Sequence, residues 1–365
     1  MGDLIVSSTT VLETPPDGVF HVTSFVVEQG VTVWFTKNAK NTPIYILSKG
    51  DIIVRGALNL SGGNATDIEP GIGGPGGFDG GWGGHAFSRG LGSDGQGPGG
   101  GAGGTGWREG QPGGTASTRS YGNAALLPLV GGSGGGGSFG VPGGGGGGGG
   151  GALLLASDTL IRLEGNISSR DSNGFNRGGS GSGGTVRLVA PIVGGTGRVD
   201  VGISGSYYGR IRIDTLNHRA PRSLRYSTTP SLGSNMRSFP HESRSLSVVY
   251  VAGTEIPEGT EGPVSITLVE EDSGQTAEPS EEPNSGLQLI RVIPKSEAPT
   301  VDVTVRARGF EDVTPVQVVV YPENGSRGVF EIELPASEIG PTEASVAIDV
   351  PVGVVSRIFA WTKPN

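Results

Sequence analysis

Glycine returns at every third position in three separate stretches of this chain, and that period narrows the conformations open to it. From Gly71 to Gly84 the triplets read GIG, GPG, GFD, GGW, GG; from Gly97 to Arg108 they read GPG, GGA, GGT, GWR. From Gly131 to Gly151 they read GGS, GGG, GSF, GVP and then glycine throughout, and a shorter run from Gly178 to Val186 reads GGS, GSG, GTV. Three residues per turn is the period of the polyproline-II type helix, which makes no internal hydrogen bonds. Its amides must pair with neighbouring segments, and a row of glycines lets those backbones approach. A disordered low-complexity chain could also hold 70 glycines in 365 residues, but it has no need of a kept phase. The stretches therefore predict a bundle of extended polyglycine-II helices. At about 3.1 Å per residue, an unbroken Gly131–Gly151 would reach about 65 Å.

The segments that flank the glycine belt have strand character. Val22–Val27 and Val31–Phe35 are rich in β-branched and aromatic residues, with Gly30 marking the turn between them. An apolar layout then recurs. Pro43–Ser61 holds an apolar run, a second strand and a third strand after Gly56; Ala152–Ser169 repeats it; Thr185–Val201 is a looser copy and Gly209–Asp214 a partial one. Units of about 20 residues that cannot bury their own apolar face predict stacked β-solenoid rungs. From Leu246 onward glycine thins, and strands of period two follow at Thr300–Arg306, Val316–Val320, Phe330–Leu334 and Val346–Val350. Their spacing and the turn at Glu323–Ser326 predict an immunoglobulin-like β-sandwich.

The predicted fold is thus all-β: solenoid-like rungs interrupted by a polyglycine-II bundle and followed by a β-sandwich. The expected divisions are an N-terminal strand region with the first rung at 1–61 and a polyglycine-II-rich insertion at 62–151. Further rungs with a short glycine-helix segment occupy 152–215, a polar linker 216–244 and the sandwich 245–365.

Little in the sequence points to chemistry. There is no cysteine, so disulfides and thiolate metal sites are excluded. The formal net charge of -9, with no basic tail, argues against nucleic acid as a partner. No apolar run is long enough to span a membrane. Met1–Val6 has neither a basic n-region nor an apolar h-region, which points away from Sec export. His21, His85, His218 and His241 lack partners at metal-ligand spacing. The strings Gly131–Gly135 and Gly136–Gly140 match the hydrolase G-x-S-x-G pattern, but they lie in glycine triplets without a strand and helix around them.

Asp51, Asp158, Asp200 and Asp214 occupy related rung positions, as do Arg55, Arg162, Arg187, Arg198, Arg210 and Arg212. Solvated faces and ion pairs between coils account for them, with a catalytic groove as the alternative. Asp79, Asp94 and Asp171–Gly174 lack the spacing of an EF-hand or of a calcium-binding nonapeptide repeat. No cofactor, metal or catalytic residue is expected. The aromatic residues set among the glycines are better candidates for recognition. Side chains on loops between rigid helices make good contact surfaces, although they also serve to cap a bundle.

Over residues 62–186 the glycine triplets resemble the polyglycine-II sandwich of phage long-tail-fibre tip adhesins. In that family the glycine helices pack in a lattice and their connecting loops bind host outer-membrane receptors. The resemblance implies receptor-binding roles for His85, Phe87, Arg89, Trp107, Arg108 and Tyr121. This chain departs from the family in splicing the glycine belt into rungs. A second resemblance, carried by GGGGGGGGGALLLAS and GRIRID within Gly143–Asp214, is to glycine-rich proteins of bacterial surfaces.

Together these features predict a non-enzymatic structural protein of a virion: a phage tail-fibre, tail-tip or decoration component. The alternatives are a bacterial surface or extracellular filament protein and a β-solenoid polysaccharide-degrading enzyme. Expected partners are further copies of the chain, other structural proteins, and a host surface protein or glycan, without nucleic acid or membrane insertion. The expected location is the virion, or alternatively the bacterial surface.

Overall fold

The computed structural model describes residues 2–86, 88–105, 109–113, 124–202, 209–236, 238, 245–257, 264–271, 287–294, 298–310, 312–337 and 340–362. They are all-β apart from one 3-10 turn at Ala220–Ser223. Two compact units divide the chain, Met1–Phe239 and Pro240–Asn365.

The first unit is wound in successive turns. The first turn holds β1 (Leu4–Val6) and β2 (Thr10–Leu12), and the second β3 (Val19–Val22), β4 (Phe25–Val27) and β5 (Thr32–Phe35). The third holds β6 (Ile44–Ser48), β7 (Ile52–Val54) and β8 (Ala57–Asn59). The fourth holds β9 (Ala152–Ser157), β10 (Leu160–Leu163) and β11 (Asn166–Ser168). The fifth holds β12 (Thr185–Val189), β13 (Ile192–Gly195) and β14 (Arg198–Asp200). Then come β15 (Arg210–Asp214), the 3-10 turn, β16 (Arg225–Tyr226) and β17 (Ser231–Gly233).

From the second turn to the fifth, each turn adds one strand to each of three sheets. The first sheet runs β1-β4-β7-β10-β13, the second β2-β5-β8-β11-β14-β16 and the third β3-β6-β9-β12-β15-β17. Every pairing among them is parallel. Alternate side chains from all three sheets fill one interior. Phe25, Val33, Ile46, Ile52, Leu58, Leu155, Ile161 and Leu188 are among its fully buried members.

The period-two pattern gives way in β9, where all of ALLLAS is buried. There the outward face is covered as well: Leu126 and Leu129 pack on Ala152, Leu154, Ala156 and Val189. A continuous apolar run is what a strand buried on both faces requires.

Residues 220–233 were expected to form part of a polar linker. They instead extend the second and third sheets through β16 and β17. Arg225–Tyr226 and Ser231–Gly233 are too short to show a period, so their pairing rests on the strands beside them.

The chain leaves the sheets between β8 and β9 and again between β11 and β12, as extended glycine segments. Their backbone hydrogen bonds carry the period of the sequence. Gly143, Gly146 and Gly149 donate to Gly84, Gly81 and Phe78 at 2.7, 2.8 and 2.8 Å. Gly145, Gly148 and Gly151 donate to Asp67, Gly63 and Leu60 at 2.8, 3.2 and 2.8 Å. Gly147 and Gly150 donate to Gly179 and Ser182 at 2.8 and 2.9 Å. The N–H groups of one segment thus reach three neighbours, each through its own phase of the triplet. Side chains cannot fit between them: a Cβ on Gly146 would lie 2.0 Å from the Gly135 carbonyl oxygen, and one on Gly147 2.2 Å from that of Ser172.

The second unit contains β18 (Ser245–Val251), β19 (Thr254–Glu255), β20 (Val264–Glu270), β21 (Leu287–Ile293), β22 (Thr300–Arg308), β23 (Thr314–Pro322), β24 (Gly328–Leu334), β25 (Thr342–Asp349) and β26 (Ser356–Thr362). The strands form sheets ordered β19-β18-β22-β25 and β21-β20-β26-β23-β24. Both sheets contribute to one core, with Val251, Val303 and Ile348 from one and Ile266, Val318 and Ile358 from the other. All described strand pairs here are antiparallel except β20–β21, which is parallel.

Candidate functional site

The glycine segments have a sheet end and a far end. At the sheet end Gly151 bonds Leu60 and leads directly into β9. An extended chain rising about 3.1 Å per residue places Gly143, eight residues earlier, about 25 Å away. Three connections meet there. Gly84 and Gly143 share a 2.7 Å bond, Gly140 donates to Gly90 at 2.8 Å, and Ser138 Oγ donates to the Asn176 carbonyl at 2.9 Å. The turns 85–90, 139–142 and 173–177 therefore lie side by side.

Phe139, Gly140, Val141, Pro142, Asn176 and Arg177 line a cleft of about 360 Å³ at this end. Val141 is 67% exposed and Phe175 46% exposed, although both sit on firmly anchored turns. The anchoring is through the backbone. Gly144 N–H donates to Ser138 Oγ at 2.7 Å, and Gly110 N–H donates to the Arg177 carbonyl at 2.9 Å. Arg89, Asn176 and Arg177 hold left-handed φ angles of 52°, 34° and 70°. Backbone in that region costs a non-glycine residue about 1–3 kcal/mol and persists where the surroundings over-determine it. Arg89 and Arg177 are exposed, as are Asp67 and Glu69 in the neighbouring turn. The end thus presents apolar side chains with charges of both signs around them.

Of the residues expected to bind a receptor, His85 and Arg89 stand on the turn 85–90. Phe87, Trp107, Arg108 and Tyr121 lie outside the described residues. Val141, Pro142 and Asn176 were not among the candidates, because no local motif marks them. Their signal is the break they make in a glycine run, at Ser138–Pro142 and Asp171–Arg177.

The residues weighed for catalysis are dispersed. Asp51 accepts from Thr159 at 2.6 Å, Arg55 and Arg162 both reach Glu164, and Arg198 pairs with Asp200 at 3.1 Å. Asp200 ends a strand of the second sheet and Asp214 one of the third, so they do not share a face. Ser133 and Ser138, the serines of the G-x-S-x-G strings, are buried, and their Oγ atoms accept from Gly99 and Gly144 at 3.0 and 2.7 Å. Asp79 pairs with Lys37 at 2.5 Å. Among the described residues no His, Asp and Glu side chains gather as a metal site.

One group of these rung charges pairs between coils and is buried. Arg187 is fully buried on the outward side of the third sheet, where Nε donates to Asp214 Oδ2 at 3.1 Å and Nη2 lies 3.0 Å from the same oxygen. Arg212 approaches the other oxygen of Asp214 at 2.6 Å, and Asn235 N–H donates to it at 3.0 Å. Burial pushes the Asp214 carboxyl up, but the hydrogen bonds from Arg212 and Arg187 outweigh it and hold the group below its ordinary value. Burial alone raises Tyr226, to about 12.

Compared with known protein families, curated proteins and solved structures, the chain has no match.

Proposed function

We propose that this chain is a non-enzymatic structural protein of a virion, of the phage tail-fibre, tail-tip or decoration kind, that adheres to a host surface through the far end of its glycine bundle. In this reading the parallel unit is a β-solenoid, the glycine segments are polyglycine-II helices, and the second unit is an immunoglobulin-like β-sandwich. The observation that carries it is the three-phase hydrogen bonding of Gly143–Gly151, which supports a stiff mount about 25 Å long for three adjoining turns. Loops on such a mount bind without first having to be ordered, which spares the entropy that flexible loops lose. Exposed Val141 and Phe175 supply apolar contact, and Arg89 and Arg177 supply charge.

Particles purified from cells that produce the protein should contain it. The isolated chain should bind the surface of susceptible bacteria, and replacing both Arg89 and Arg177 by Glu should lower that affinity about tenfold or more, as for central arginines of an interface. Depolymerisation of a surface polysaccharide by the purified chain, or binding indifferent to both substitutions, would refute the proposal.

A further inference from the structure

At the start of the parallel unit β1, β2 and β3 each end a sheet, and among the described residues no strand lies beyond them. Successive residues of a parallel strand aim their backbone groups at opposite neighbours. Leu4 N–H donates to Ser24 at 2.9 Å and the Val6 carbonyl accepts from Glu28 at 3.0 Å, so these residues serve the next turn and Ile5 points away from it. The Leu12 carbonyl accepts from Thr36 at 3.0 Å, which leaves Val11 pointing away in β2. The carbonyls of Gly18 and Val22 accept from Tyr45 and Lys49, which leaves Val19 and His21 in β3. Among the described residues only the Val19 N–H is capped, by the Asp17 carboxylate at 3.0 Å.

The side chains tell the same story: Ile5 is 59% and Val11 57% exposed, while Leu4, Leu12 and Phe20 pack on the core but stay only partly buried. The opposite end of the first sheet is closed, because the Ala220–Ser223 turn follows β13 and Ser223 Oγ donates to the Gly195 carbonyl at 2.7 Å.

Charge decides what can cover the open edge. Residues 1–36 contain Asp3, Glu13, Asp17 and Glu28 and no Lys or Arg. Asp3, Glu13 and Asp17 are exposed on this first turn. A second copy meeting the edge head to head would set carboxylates against carboxylates, and such juxtaposition suppresses pairing. We propose that the edge formed by β1, β2 and β3 receives a β-strand of a different protein, one rich in Lys or Arg, by strand addition. Backbone bonds to Ile5, Val11 and His21 give the register, and the acidic rim selects the partner. The far-end turns take no part, so this inference and the adhesive role stand or fall separately.

The probe is a fluorescent peptide of alternating Lys and Val, with an alternating Glu and Val peptide as control. The Lys peptide should bind saturably at low salt, weaken as salt rises, and slow amide exchange across residues 4–12, while the Glu peptide should not bind. Ile5→Pro removes an N–H that the fold does not use, on an edge where proline is tolerated. It should weaken Lys-peptide binding about fivefold or more through the lost backbone bond. The pair Asp3→Lys and Glu13→Lys, both exposed, should reverse the peptide preference and provides a second route should Ile5→Pro disturb folding. Three results would overturn the proposal: no binding of the Lys peptide, equal binding by wild type and Ile5→Pro, or a wild-type dimer that Ile5→Pro dissolves.

Discussion

Replacing Gly149 by alanine asks whether the glycine belt is a lattice or merely a small-residue filler. Its Cβ would lie 2.0 Å from the Gly132 carbonyl oxygen, 2.3 Å from its carbon and 2.9 Å from Ser133 N. All three are backbone atoms, and both segments are tied by further bonds, Gly132 to Gly150 at 2.7 Å and Gly149 to Phe78 at 2.8 Å. Relief needs a shift of roughly 1 Å in a whole segment. Overpacking of this kind costs about 1–3 kcal/mol, and each backbone bond stretched beyond use adds about 1 kcal/mol. A total of about 3–5 kcal/mol follows. In a unit of this size each 1 kcal/mol moves the midpoint by about 2–4 °C, so the first unit should melt about 6–20 °C lower.

Gly63→Ala is the matched control. It lies in the same bundle with the same side-chain change, but its Cβ would find nothing closer than Ile72 O at 3.4 Å. Loss of glycine entropy in the unfolded chain should make it neutral or stabilising by about 0.5 kcal/mol. Thermal and urea unfolding of both variants, followed by circular dichroism, provide the comparison. If Gly149→Ala melted with the wild type, or Gly63→Ala fell as far, the close approach of the segments would not be what glycine is there for.

Asp214→Asn should cost about 3–5 kcal/mol, because it strips Arg187 of its buried counter-charge. The same pair predicts acid sensitivity: the folded pKa of Asp214 lies below the ordinary 3.8, so its stabilisation is complete above that value and disappears as pH falls through the folded pKa. In Asp214→Asn the acid limb of a stability–pH curve should be shallower. Ser356 is fully buried in the second unit and its Oγ has no hydrogen-bond partner among the described residues, so Ser356→Ala should be neutral or stabilise that unit by up to about 1 kcal/mol in urea unfolding.

The parts of the structure that were legible in the sequence are those with a period. The triplet phase reappears as bonds from Gly143, Gly146 and Gly149 to one neighbour, because a three-fold chain turns each amide to the same side after three residues. The strands of Pro43–Ser61 and Ala152–Ser169 stack in register, Ile46 on Leu155 and Leu58 on Ile167, because each rung buries the same alternate positions. Parts that depend on two distant segments were not legible. Phe139 and Arg177 line one cleft only because separate excursions return to the same depth. Arg187 and Asp214 read as rung charges that pair between coils, but only the fold back of Asn235 shows that their pairing is internal. The strand order β21-β20-β26-β23-β24 likewise depends on pairings between segments far apart in the chain.

The triplet bonding also has a temporal side. Gly143–Gly151 makes no bond within itself, and its nearest partner along the chain is the stretch 132–138, which it meets across the turn 139–142. Its attachment to the sheets is different: Leu60 and Gly151 meet at 2.8 Å across a closed loop of some ninety residues, at the end of β8 and the start of β9. Contacts of such sequence separation are slow to form. Docking of the belt on the wound sheets is thus expected to be a slow step of folding. Once set, the belt can come apart only by surrendering bonds to several neighbours together, which makes it a slow arrival that is also slow to leave.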